Sequence, residues 1–464
     1  MPAALSRSRE TWALALLWLA VAVVYAATAS SSWKTPDTAS AEVGAWAIAT
    51  SGTPWVDGLQ SDSYVLSVDA EEADLGERRR LVLFSTVNDS NGHAVIGRSP
   101  GVIAAGVPAY WMAGRLGMGS PADDISPVPG ALTGAALAAT TVLLLGLALR
   151  GLVHTRLLVG ALLVLALATP YWSVLGDALW SHGVTTLGIA GMAWAARNER
   201  WWLVGVFGGV GLWGRLHVAV IVAVLGVGLA MWRRRPTIAL RVAAASLPFL
   251  AGVFVWGRWV YGRWDLYAAS GGYAQATGAE NPADDRATGL LGVLGNELGY
   301  LVAPDAGLLT WTPVLLVLVP TVVRSWSSTP DWTRVLATGG ITYLVAQGLL
   351  NNFDGGTGFW GNRLGLETLT CLVPLVACSL AQLRVRERVV ALVVLSYQAG
   401  VILLGAVFNL AHRQGDAWRE YEPYLALRDN AVVTVAGIGL GMVLTLVAWL
   451  ALGRGNQLRA DPAT

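Results

Sequence analysis

Lys34-Thr-Pro-Asp37-Thr-Ala-Ser-Ala-Glu42 begins a few residues after the first long apolar run ends, so two carboxylates stand where the chain leaves a bilayer. A carboxylate there meets lipid-borne and water-borne reactants together, which suits a general base. The segment after Pro36 reads as a helix with Asp37 at its start, where backbone amides favour the ionised form. An N-cap role for Asp37 explains its position equally well. Its company weighs towards chemistry. Asp177 and His182 lie in Pro170-Tyr-Trp-Ser-Val-Leu-Gly-Asp177-Ala-Leu-Trp-Ser-His182, between two apolar runs. Arg215 and His217 interrupt a long apolar stretch, and ionisable groups at such depth face a cavity or a partner. For His217 a satisfied structural histidine fits as well. Asn351-Asn-Phe-Asp354-Gly-Gly-Thr-Gly-Phe-Trp360-Gly-Asn-Arg363 offers amides and a guanidinium to a phosphate or a sugar hydroxyl. The same turn also reads as a hairpin with an interfacial aromatic anchor.

The elements that position these residues are membrane helices. Of 464 residues, 55% are apolar and 13% charged, against roughly a quarter charged in soluble domains. The net charge of +1 gives no nucleic-acid footprint. Hydropathy places twelve spans, at 11–29, 129–150, 157–174, 181–196, 201–214, 216–232, 237–260, 306–324, 334–350, 362–382, 388–411 and 431–452. The first reads as a retained signal-anchor. The run 101–118 holds Pro108 and Arg115 and reads as a helix lying at the outer interface. Both termini are then cytoplasmic, and every short cytoplasmic link carries arginine: Arg150/Arg156, Arg197/Arg200, Arg233–Arg235, Arg324/Arg334 and Arg384/Arg386/Arg388. About 25 of the 30 acidic residues fall on the outer side.

Two outer loops are long, 30–128 and 261–305. The first includes a charged run, Asp69 to Arg80, that reads as a solvated surface. The second, with Gly271-Gly-Tyr273 and Asp284-Asp-Arg286, reads as a lid or binding loop. The chain thus divides into a seven-span module (1–260), the loop 261–305 and a five-span region (306–464). Cys371 and Cys378 fall seven apart on one helix, too far to bridge, and read as packing residues. The dispersed acids show no ligand spacing, so no metal and no other cofactor is expected.

Carboxylates, arginines and aromatics on one outer face suit a lipid-linked phosphosugar. Arginines would hold its phosphate while a carboxylate deprotonates the acceptor hydroxyl. With that order of residues the chain resembles the GT-C superfamily of polyprenol-phosphate-sugar-dependent glycosyltransferases, notably protein O-mannosyltransferases and the lipid A aminoarabinose transferase. Pro36-Asp37, Ala41-Glu42 and Gly52…Trp55 resemble the first-loop motif, whose aspartate is the proposed catalytic base, a role that passes to Asp37. Arg98-Ser-Pro100 resembles a Lys-Pro-Pro element that meets the lipid phosphate. Asp177 stands at the second acidic position, and Gly214-Arg215 resembles a Thr-Lys-Gly turn. Tyr300-Leu-Val-Ala-Pro304-Asp-Ala-Gly307-Leu-Leu-Thr-Trp-Thr-Pro313 and the turn ending in Arg363 are similar to segments of actinobacterial-type transferases. The chain departs from the pattern in having Arg98 and Arg215 for lysine, one proline after position 98 and no acid before it.

The resemblance implies an all-α GT-C fold in the plasma membrane, with its site on the extracytoplasmic face. The implied reaction moves mannose, arabinofuranose or glucose from a polyprenyl (decaprenyl) phosphate to a cell-envelope glycan, glycolipid or protein, with inversion. Asp37, Asp177 and Glu42 are the candidate catalytic residues. Arg98, His182, Arg215, His217, Trp360 and Arg363 are the candidate binding residues. A lipid-linked saccharide flippase or transporter, or a non-catalytic assembly scaffold, are the alternatives. A transporter predicts symmetric halves, which the sequence does not display.

Overall fold

A computed structural model describes residues 2–61, 64–67, 81–266, 289–350, 353, 358–412 and 416–453. Asp354, the run Asp69 to Arg80 and the Gly271 and Asp284 segments lie outside them.

The described chain is mostly helical. Its helices are α1 (Pro2–Thr28), α2 (Pro36–Ser51), α3 (Pro100–Arg115), α4 (Val128–Leu149), α5 (Thr155–Leu167), α6 (Ser181–Arg197), α7 (Trp201–Gly214), α8 (Ala219–Trp232) and α9 (Thr237–Tyr261). After them come α10 (Gly289–Val302), α11 (Leu308–Trp311), α12 (Val314–Ser325), α13 (Asp331–Leu350), α14 (Leu366–Ser379), α15 (Val385–Phe408), α16 (Glu422–Asp429) and α17 (Ala431–Gly453). A helix stands at each of the twelve stretches read as spans. Five are long and apolar enough to cross a membrane: Glu10–Thr28, Val128–Leu149, Thr237–Tyr261, Val385–Phe408 and Ala431–Ala448.

The expectation of a purely helical chain needs one correction. Strands β1 (Tyr64–Ser67), β2 (Leu81–Val87) and β3 (Ala94–Ile96) form a small sheet, β1 parallel and β3 antiparallel to β2. Three strands of 4, 7 and 3 residues leave too little alternation to stand out in a polar loop. The sheet lies against α2, where the Ser40 hydroxyl accepts the Phe84 amide at 2.8 Å. With α3 and the end of α9 these elements enclose a second apolar core, including Val43, Leu83, Ile96, Ile103, Trp256 and Tyr261. This cap is anchored to the bundle. Asn88 donates to the carbonyls of Trp259 and Val260 at 3.1 and 2.9 Å.

The arginine-bearing links gather by their partners. Arg233 grips Asp331 through two bonds of 2.7 and 2.8 Å and reaches Glu199 at 2.8 Å. Arg324 pairs with Glu387 at 2.6 Å. Both cysteines are unbridged, Cys371 buried and Cys378 half-buried.

Candidate active site

Thr35 settles how α2 begins. Its backbone is extended and its side chain accepts the Thr38 amide, so Thr35 is the N-cap and Pro36 opens the helix. Asp37 is therefore not the N-cap, and its carboxylate is left for other partners. Two guanidiniums take it, Arg98 at one oxygen and Arg363 at the other. Arg98 also donates through Nε to the Asp37 carbonyl at 3.1 Å. The three side chains remain 14–22% exposed, enough for a ligand to reach them.

Each arginine is held from behind. The Tyr261 hydroxyl donates to the Arg98 carbonyl at 2.9 Å, and the Arg98 guanidinium lies 5.4 Å from the Phe84 ring centre. Arg363 lies 4.8 Å from Trp180 and 4.9 Å from Phe359, which leaves it aromatic walls. Arg363 is thus brought from 326 positions away onto Asp37. The approach of α3 depends on Gly101, since a Cβ there would stand 2.6 Å from the Trp213 carbonyl carbon. That close contact sets the Arg98 end of α3 against the turn that carries Arg215.

Asp177 follows a π-helical turn (Tyr171–Leu175) and pairs with Lys34 Nζ at 3.0 Å. Lys34 also donates to the Asn409 side chain. Burial raises the Asp177 carboxyl to about 6 although Lys34 opposes the rise. A raised value means that the folded state holds a proton between about pH 4 and 6 that the unfolded chain has lost. The stabilisation this group gives is full below pH 4 and disappears as pH rises through 6. Unfolding of Asp177→Asn against the native protein at pH 4.5 and 7 checks it: the native advantage at low pH should be missing in the variant.

Glu42 lies five positions past Asp37, about 140° round the helix. It is buried, with Tyr110 nearby and its side chain against Gly130, where a Cβ would meet Glu42 Cγ at 2.4 Å. Burial pushes its carboxyl well above the usual range, the Leu179 amide opposes this and the Asp177 charge adds to it. Glu42 therefore packs on another face of α2 from Asp37, against Gly130 and beside Tyr110, and the two acids of the first loop do not form a pair.

Behind Arg363 lies a buried polar network. His182 Nδ1 meets Glu367 Oε1 at 2.8 Å, and Arg215 Nη1 lies 2.8 Å from His182 Nε2. These partners assign the imidazole proton to Nδ1 and the lone pair to Nε2. Thr185 donates to the same Glu367 oxygen at 2.6 Å, and Arg215 reaches Gln347 at 3.5 Å. His217 stacks on Tyr343 with ring centres 5.2 Å apart. His217 Nε2, the Tyr343 hydroxyl and Glu367 Oε2 are buried without hydrogen-bond partners among the described residues. Three such atoms in one neighbourhood mark a place where a polar ligand would be welcome.

Trp360 is placed elsewhere. It is buried, donates to the Val401 carbonyl at 2.7 Å and packs on Gly405, where a Cβ would meet it at 2.3 Å. No ring face is left for a sugar; Trp180 and Phe359, buried as well, wall Arg363 instead. Lys34, Gln347, Tyr343 and Glu367 join these residues without standing out in the sequence. Glu367 did carry a signal, as a lone acid in an apolar run.

Asp305, His412 and Glu422 are buried with donor atoms within 4.8 Å of one another, a grouping that could hold a metal ion. His412 Nε2 accepts the Gly361 amide at 2.9 Å and Nδ1 faces Asp305. The Gly361 amide takes the Nε2 lone pair, so the ring proton sits on Nδ1, where a cation would need a lone pair. The geometry fits a hydrogen-bonded clamp better than a metal centre.

No protein-family model matches the chain, and no curated protein matches it.

Proposed function

We propose that the chain is a polytopic membrane glycosyltransferase of the GT-C type, moving a sugar from a polyprenyl phosphate to an extracytoplasmic cell-envelope acceptor. One observation carries this reading: an accessible carboxylate held between two guanidiniums, with a lysine–aspartate pair and aromatic walls beside it. Lys34, Arg98, Arg215 and Arg363 set four cations against Asp37, Asp177 and Glu367, which leaves one positive charge when all three acids are ionised. A polyprenyl phosphosugar is a phosphodiester with one negative charge.

The ion pairs give the mechanism its order. An arriving phosphate competes for Arg98 and Arg363, which bind phosphate and carboxylate alike. Asp37 is then released beside the anomeric carbon. The acceptor oxygen attacks that carbon, its proton passes to Asp37, and the sugar–phosphate bond breaks to release polyprenyl phosphate. One displacement inverts the anomeric centre. In this reading all twelve apolar stretches span the membrane, both termini are cytoplasmic, and α3 lies at the outer interface.

The paired state of Asp37 also favours a second reading, a latch that joins the cap to the turn before α14 in a protein without chemistry of its own. Transfer in proteoliposomes separates them. A panel of radiolabelled polyprenyl-phosphate sugars is offered with envelope extract as acceptor. Transfer from one donor supports the enzyme and names the sugar. Donor binding without transfer from any member of the panel sinks it.

A further inference from the structure

An apolar cavity of about 610 Å³ lies between α5, α12, α14, α15 and α17, away from the Asp37 cluster. Thr169, Trp172 and Thr312 line it at one level, and His154, Arg156 and Arg388 at another. Gln398 fixes the register of the walls, donating to the Ala168 carbonyl and accepting the Val314 amide at 3.3 Å. From His154 to Ala168 the wall rises roughly 20 Å at the helical 1.5 Å per residue. That is about two thirds of a hydrocarbon core.

The two arginines at the mouth differ from neighbours in similar links. Arg233 and Arg324 have carboxylate partners at 2.7 and 2.6 Å. Arg156 and Arg388 are exposed and form no ion pair among the described residues. The nearby Glu10 carboxylate accepts from Thr155 at 3.0 Å. Arg388 donates to the Leu383 carbonyl at 3.4 Å, which leaves its charge uncompensated. A long apolar slot whose mouth carries two guanidiniums without ion pairs among the described residues is complementary to one molecule in a bilayer.

We infer that this cavity holds an acyl chain of one anionic phospholipid, its phosphodiester between Arg156 and Arg388. The inference rests on the membrane reading and not on sugar transfer. The site is separate from the proposed donor site, whose cations lie at Arg98 and Arg363.

Native mass spectrometry of the full chain in detergent tests it, with phosphatidylglycerol or phosphatidylcholine added. One phosphatidylglycerol should be retained where phosphatidylcholine is stripped. Each cation near an anionic headgroup is worth about fivefold, so Arg156→Gln with Arg388→Gln should weaken retention about thirtyfold. Arg384→Gln with Arg386→Gln, which alters arginines outside the cavity lining, should leave retention unchanged. Ala161→Trp, which fills the slot, should abolish it while the melting temperature holds. Equal retention of both lipids, or unchanged retention in the Arg156/Arg388 variant, overturns the inference. So does displacement of phosphatidylglycerol by a long polyprenyl phosphate, since the slot would then take a donor tail. Retention is read without turnover, so a failure of sugar transfer leaves the lipid result standing.

Discussion

Asp37→Asn should lower sugar transfer by between a hundredfold and about ten-thousandfold, the range for loss of a positioned general base. The amide keeps the shape of the side chain but cannot take the acceptor proton. Donor affinity should hold or improve, because Arg98 and Arg363 no longer answer to a carboxylate and stay available to phosphate. The cost to stability should be small, about 1 kcal/mol, as the pairs are partly solvated. Glu42→Gln is the paired control. It replaces a buried carboxyl with an amide of the same size, and transfer should stay within a few-fold of native. Initial rates and donor Kd measured for both variants in one preparation decide the matter. If Asp37→Asn turned over within threefold of native, Asp37 would be a latch, and the aspartate base would be wrong.

What the sequence revealed here, and what it hid, follows from the range of each interaction. Asp37 is legible because its signal is local: an apolar run ends, a proline follows and an acid comes next. The helices are legible because hydropathy is summed over about twenty residues. Thr35 as the cap is equally local, yet Thr-Pro-Asp offers two cap candidates and only backbone geometry chooses between them. Arg363 on Asp37 and Glu367 on His182 join positions 326 and 185 apart, which periodicity does not connect. Trp360 misled for a related reason. A tryptophan in a Gly-rich turn looks like an interfacial anchor or sugar platform, and only Gly405 on another helix shows that the indole is packing. The shape of the site is therefore a property of the turn at 358–363 meeting the cap, whereas its proposed chemistry could be named from the first loop alone.

Removing Glu367 or Arg215 should have the other large effect, this time on stability. Glu367 is fully buried, with His182 and Thr185 on one oxygen and, among the described residues, no hydrogen-bond partner on the other. His182 joins it to Arg215, so one negative and one positive charge share a neutral imidazole as a bridge. Loss of either charge leaves the other without its counterpart in a poorly solvated place, at roughly 3–5 kcal/mol. Glu367→Gln and Arg215→Met should each fall in that range. The double variant removes both charges together and should lie well short of the sum, with a coupling of roughly 0.5–3 kcal/mol. Unfolding of the four proteins in one detergent gives the cycle directly, and additive single effects would show that His182 does not couple the two charges. Activity adds a second readout. Asp37, Arg98 and Arg363 remain in the double variant, so surviving transfer should still be lost on Asp37→Asn. A double variant that is stable but transfers nothing would instead make Arg215 or Glu367 a direct contact of the sugar or its phosphate. The buried atoms of His217, Tyr343 and Glu367 that lack partners would then be the first place to look for that contact.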